Sequence, residues 1–172
     1  AGDVDIFTRR GDLFVQGDRA DNSVEIRVES SGNVVAEGLD GTTVNGESGP
    51  VVVLEGSVVA DDLRVRLGGG NDTILIDGLT ITDDLIVNGG SGDDAIGLLR
   101  TTVGDDAAIY GLRGALKFSL DLSTVEDDLR VVGSRENDTI VIDESRVGDD
   151  TSLITSSGDD TIVVRSSVHE DD

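Results

Sequence analysis

The 22 residues from Leu63 to Asp84 read LRVRLGGGNDTILIDGLTITDD, and the residues that follow repeat the pattern. Apolar side chains fall at Leu63 and Val65, then at Ile74 and Ile76, then at Ile81. Spacing of i and i+2 is the period of a strand that buries one face. Between the apolar pairs stand Gly68-Gly69-Gly70-Asn71-Asp72 and Asp83-Asp84, residue types that tolerate tight turns. One unit therefore reads as a strand over 63–67, a Gly-rich corner, a strand over 73–77, a short third strand near Ile81, and an acidic corner.

The same phase continues on both sides. Acidic pairs fall at Asp61-Asp62, Asp83-Asp84, Asp105-Asp106, Asp127-Asp128, Asp149-Asp150 and Asp171-Asp172, each step being 22 residues. A second series, Asn71-Asp72, Asp93-Asp94, Asn137-Asp138 and Asp159-Asp160, keeps that register. So do the apolar columns, for example Leu63, Leu85, Ala107, Leu129 and Thr151, or Ile74, Ile96, Phe118, Ile140 and Ile162. Fixed-period self-similarity of this kind is the signature of a solenoid, in which each unit buries its inner face only against its neighbours. The expected fold is all-β: a parallel β-helix (β-solenoid) of 22-residue, three-strand coils. Those dimensions fit a right-handed winding with layers about 4.8 Å apart. One unit departs: around 110–117 the corner reads YGLRGALK, and Ala115 and Leu116 stand where an acidic pair is expected.

Residues 1–41 read as an N-terminal cap with a divergent coil, and residues 42–172 as the regular solenoid. Asp12-Leu13-Phe14-Val15 resembles Asp62-Leu63-Arg64-Val65, and Asn22-Ser23-Val24-Glu25-Ile26 resembles Asn137-Asp138-Thr139-Ile140. Val52 and Leu54 fall one period before Ile74 and Ile76, which places them in a coil one layer below. A cap hides the open edge that a solenoid otherwise presents. The chain stops at Asp171-Asp172, where a further unit would start, so the reading expects continuation into further repeats. It opens at Ala1 without a Met or an apolar leader, as a trimmed product of a secreted precursor or a fragment of a longer chain would.

Composition narrows the function. With 36 Asp and Glu against 13 Lys and Arg, the formal net charge is −23. That charge disfavours nucleic acid and anionic membranes as partners and suits divalent cations. No 18-residue apolar run exists, so no membrane insertion is expected. Cysteine is absent, and stability must come from the stack itself.

Stacking places Asp62, Asp84, Asp106, Asp128 and Asp150 in one column, and Asp72 with Asp94, and Asp138 with Asp160, in another. Two carboxylates about 4.8 Å apart repel by about 1 kcal/mol in water and by several times that near a protein surface. A hard divalent cation relieves such repulsion, and calcium takes six to eight oxygens from carboxylates and backbone carbonyls. The expected metal ligands are Asp72, Asp94, Asp138, Asp160, Asp93, Asp159, Asp62, Asp84, Asp106, Asp128 and Asp150. Asp and Asn at solvent-facing corners also serve plain turn chemistry and solubility, which is the competing explanation.

At these corners the chain resembles the RTX calcium-binding repeats. Gly89-Gly90-Ser91-Gly92-Asp93-Asp94-Ala95-Ile96 follows their Gly-Gly-x-Gly-x-Asp-x-apolar pattern. Gly69-Gly70-Asn71-Asp72-Thr73-Ile74 matches most of it, and Gly158-Asp159-Asp160-Thr161-Ile162 its end. The family's coils run to 18 residues against 22 here. The chain also resembles secreted bacterial β-strand repeat proteins with Gly-x-Asn-Asp-Thr corners. The first resemblance implies calcium as cofactor, and the second a secreted or cell-surface location in a bacterium.

The expected function is a non-enzymatic extracellular module, a spacer, adhesin or matrix section, with surface proteins, matrix proteins or polysaccharide as partners. Two alternatives stand beside it. One is a polysaccharide-active β-helix enzyme, for which Tyr110, Arg113 and Lys117 in the irregular unit are the place to look. The other is a mineral- or ice-surface binder, suggested by the ranked Thr80, Thr102 and Thr124. Finally, the outward strip Leu75, Gly97, Ser119, Val141 and Val163, with Val53 expected below it, is either a contact surface or covered by the cap.

Overall fold

The computed structural model describes residues 2–59 and 61–169, so the Asp171-Asp172 pair lies outside the described residues. There is no helix among them. The chain winds as a parallel β-solenoid of about five turns with 22-residue spacing. Each regular layer supplies one strand to each of three sheets. The layer quoted above contributes Leu63–Arg66, Thr73–Asp77 and Thr80–Ile81. In the next, Leu85 lies over Leu63, Ile96 over Ile74 and Ile81 under Val103, all in parallel register. The same offset carries the stack up to Thr151–Ile154, Thr161–Arg165 and Val168–His169.

Inward alternation builds one continuous core. Leu63, Val65, Ile74, Ile76, Ile81, Leu85, Val87 and Phe118 are all buried within it. In the last described layer Ile162 and Val164 occupy the same inward columns, yet remain exposed. Burial in this fold thus comes from the neighbouring layer and not from within a coil, which makes stability cooperative along the axis.

At the N-terminal end the period breaks, and the structure gives the reason. Leu13 lies under Leu63 and Val24 under Ile74, an offset of 50 residues. The surplus is an excursion between the second and third strands of this basal layer. Val34–Gly38 runs antiparallel to Ser23–Val28, and Val51–Leu54 runs antiparallel to Val34–Gly38. Only then does Val58–Val59 enter the third sheet beneath Thr80–Ile81. Asp3–Arg9 folds antiparallel onto Asp12–Gln16, and Thr43–Val44 pairs in parallel with Asp3 and Val4 to form the edge of the first sheet. Val52 and Leu54 therefore do not sit one layer below Ile74 and Ile76, where Val24 and Ile26 lie instead. Alternation specifies a strand with one buried face but not its partner, and the phase match of Val52 and Leu54 is a coincidence.

The corner after the second sheet holds a left-handed residue in every regular layer. Gly78 fills that position once, but Arg100, Leu122, Glu144 and Ser166 fill it with φ between 46° and 49°. For an L-residue this geometry costs about 1–2 kcal/mol, part of which glycine returns as chain entropy in the unfolded state. Leu122 is exposed, so little packing is lost on its removal. Leu122→Gly is expected to raise stability by about 1 kcal/mol, a gain of about 2–4 °C in melting temperature for a domain of this size. A variant that melts lower than the parent overturns this account of the corner.

Candidate cation-binding corners

Two corners of each layer carry acids, and the backbone geometry treats them differently. At the corner between the third and first sheets, Asp62, Asp84, Asp106, Asp128 and Asp150 stack as expected. The backbone N–H of Asp84 donates to Asp62 Oδ1 at 3.1 Å, and that of Asp106 to Asp84 Oδ1 at 3.2 Å. Asp128 and Asp150 continue the series at 3.1 and 3.0 Å. Asp62 is buried, while Asp106, Asp128 and Asp150 are exposed. Beside them, Asp61, Asp83, Asp105, Asp127 and Asp149 are linked by backbone N–H to backbone carbonyl bonds. The carboxyl of Asp83 is held above the ordinary carboxylate range, first by a hydrogen bond shared with the Asp61 carboxyl and then by burial and neighbouring charges. That of Asp127 is raised by desolvation and by the charges of Asp105 and Asp149.

At the corner between the first and second sheets the column turns inward. Asp72, Asp94 and Asp138 are 1%, 2% and 1% exposed, Asp160 is half-buried, and Asp93 and Asp159 point to solvent. Here the bond runs the other way along the axis. Asn22 N–H donates to Asp72 Oδ1 at 2.8 Å, Asp72 N–H to Asp94 Oδ1 at 3.0 Å, and Asp138 N–H to Asp160 Oδ1 at 2.9 Å. Leu116 interrupts the column. Its N–H still reaches Asp138 Oδ1 at 2.8 Å, and Asp94 N–H turns to the carbonyl of Ala115 at 2.9 Å. The outward members form a parallel ladder, with Asp93 N–H on Asn71 Oδ1 and Asp159 N–H on Asn137 Oδ1.

Both columns thus bring their own donors. A carboxylate that accepts the N–H of the adjacent layer gains a charge-assisted hydrogen bond and offsets part of the like-charge cost. Sequence reasoning treated the columns as bare charges, because a repeat pattern shows which residues stack but not which backbone groups face them.

The second oxygen separates the Gly-rich corners from the rest. Asp138 Oδ2 accepts the N–H of Ser134 at 2.7 Å. In the Asp72 and Asp94 layers the residue at that position is Gly68 or Gly90, each with φ near +104°, and Asp72 Oδ2 and Asp94 Oδ2 are buried without a hydrogen-bond partner. Burial pushes both carboxyls up to about 6, against the N–H bonds that favour the charged form. Glycine also makes the space: a Cβ on Gly89 would stand 2.4 Å from Asp94 Oδ2, and one on Gly133 2.1 Å from Asp138 Oδ2.

Two features escaped the sequence. Asp12, Asp61 and Asp62 place carboxylate oxygens within 4.8 Å of one another at the base of the stack. Arg64 pairs with both Asp62 and Asp12 there, so this cluster has a counter-charge. The likeness of Asp12-Leu13 to Asp62-Leu63 was the available signal, hidden by the 50-residue offset. The second is a hydroxyl ladder at the remaining corner: Thr101 N–H donates to Ser123 Oγ, Ser123 N–H to Ser145 Oγ, and Ser145 N–H to Ser167 Oγ. Thr80, Thr102 and Thr124 do stack, but Arg146 and Val168 follow them in the same register.

No protein family model, curated protein or solved structure matches the chain.

Proposed function

We propose that this chain is a non-enzymatic module of a secreted or cell-surface bacterial protein, a stiff spacer stabilised by calcium. The observation that carries the spacer reading is the unbroken register from Leu63 to Arg165, in which each strand pairs with its equivalent 22 residues on. Side-chain ladders reinforce that register at all three corners. Such a stack transmits load along its axis through parallel backbone hydrogen bonds, and its length grows by addition of identical layers. Further repeats, surface or matrix proteins and polysaccharide are the partners this role calls for.

Support for calcium comes from the two Gly-rich corners. Asp72 Oδ2 and Asp94 Oδ2 are buried carboxylate oxygens without donors, one layer apart. An unpaired buried charge is costly, and a hard cation with oxygen ligands removes the cost. The third inward acid, Asp138, has its second oxygen served by Ser134. The cation reading therefore centres on Asp72 and Asp94.

A thermal melt with calcium and with chelator tests the cation. Calcium at about 100 times its dissociation constant adds about 2.7 kcal/mol, or roughly 5–10 °C here. The Asp72→Asn, Asp94→Asn double variant is expected to lose that gain. A shift under about 2 °C at millimolar calcium removes calcium from the proposal. Surface labelling of the intact producing cell tests the location separately, since a protein inaccessible from outside is no surface spacer.

A further inference from the structure

The outward strip of the second sheet is not covered by the cap. Its column runs Leu75, Gly97, Ser119, Val141 and Val163, and the residue beneath Leu75 is Glu25, not Val53. Centred on Gly97 is a depression of about 360 Å³ with an overwhelmingly apolar lining. Ala95 and Gly97 form its floor, because neither projects beyond a Cβ from the sheet. Leu75 stands on one side and Val141 on the other, each half-buried.

One charged group borders this floor. Lys117, the single lysine of the chain, lies directly above Ala95 in the strand register and is exposed. It makes no ion pair among the described residues. The same layer is the one that lost its acidic pair to Ala115 and Leu116. In a chain of charge −23, an unpaired ammonium beside an apolar floor, in the one layer whose corner between the first and second sheets carries no acid, is a local reversal of sign. Exposed hydroxyls of Ser119 and Thr73 border the same floor.

We infer that this depression binds a sugar ring bearing a carboxylate, the uronic-acid unit of an acidic polysaccharide. The apolar C–H face of a pyranose lies flat on Ala95 and Gly97. The carboxylate meets Lys117, and ring hydroxyls meet Ser119 and Thr73. Apolar floors with a few placed polar groups are how proteins orient small ligands, and one charge-assisted contact selects the acidic sugar over a neutral one. The inference goes beyond the spacer and stands independently of the calcium reading, since it uses none of the corner acids.

The test is an amide chemical-shift titration of the full chain, in chelator, with a galacturonic acid oligomer. A galactose oligomer of equal length, acetate and a poly-glutamate peptide are the comparison arms. Expected is a dissociation constant near 1 mM, with shifts at Ala95, Gly97, Lys117 and Ser119. Lys117→Gln and Gly97→Val, each melting close to the parent, should weaken binding at least tenfold. If Gly97→Val fails to fold, Ala95→Leu fills the same floor and carries the same expectation. No shift at about 10 mM oligomer, equal binding of the neutral oligomer or of acetate, or shifts elsewhere on the chain overturn the inference. Tighter binding of poly-glutamate at these residues overturns it in favour of an acidic protein partner.

Discussion

In chelator, the melting temperature of this protein is expected to rise as the pH falls from about 7.5 to about 5, by roughly 5–10 °C. The cause lies with Asp72 and Asp94. In the unfolded chain their carboxyls titrate near the ordinary 3.8, and in the folded chain near 6. Between those values the folded state holds protons that the unfolded state has released, so stability falls as pH rises through the window. Above about pH 6 the full penalty is present, at most about 3 kcal/mol for each group. Asp83 and Asp127, raised in the same direction, act with them.

A double variant separates the buried pair from the general acidity of the chain. In Asp72→Asn, Asp94→Asn each amide keeps an oxygen for the N–H of the layer below. Its Nδ2 has a model in the basal layer, where Asn22 Nδ2 donates to the carbonyl of Ala20, two residues back, at 2.8 Å. The equivalent acceptors are the carbonyls of Gly70 and Gly92. The variant is expected to melt higher than the parent at pH 7.5, by several degrees, and to lose most of the slope between pH 4 and 6. A double variant that keeps the parental slope assigns the pH dependence to the exposed columns instead.

Gly90→Ala is expected to cost more than about 3 kcal/mol, a loss of at least about 6 °C. Gly90 sits at φ +104°, beyond the left-handed basin that L-residues visit. A Cβ there would stand 2.0 Å from the carbonyl oxygen of Gly68 in the layer below. That oxygen accepts the N–H of Ser91, so the clash falls on a hydrogen bond that joins two layers. Gly32→Ala is the control, because its φ is +84° and nothing lies within 4 Å of its Cβ position. That variant pays only the backbone term, about 1 kcal/mol. If the two variants melt alike, the close approach of layers does not set the cost. Leu112 shows what the third regular layer does instead: at the equivalent position it takes φ 60°, where a side chain is tolerated.

Much of the solenoid was legible because its signal is redundant. The pairing of Leu85 with Leu63, or of Ile140 with Phe118, is stated by every column that keeps a 22-residue phase. The basal layer was not legible, since Leu13 and Leu63 are joined in space by an excursion that the period does not predict. Val51–Leu54 is as apolar as a solenoid strand, yet its partner is Val34–Gly38, antiparallel within the excursion.

For the acids, the sequence by itself determined which carboxylates share a column, because a solenoid stacks residues of equal phase. Tertiary structure alone decided how each carboxylate is paired. Asp72, Asp94 and Asp138 have the same phase and the same burial, and differ in sequence at the corner before them, which is Gly-rich at 68–70 and 89–92 and Ser-Arg-Glu at 134–136. Ser134 turns its N–H onto Asp138 Oδ2, while Asp72 and Asp94 keep one oxygen without a donor. The difference is a backbone rotation at one corner residue, left-handed where glycine permits it and not at Ser134.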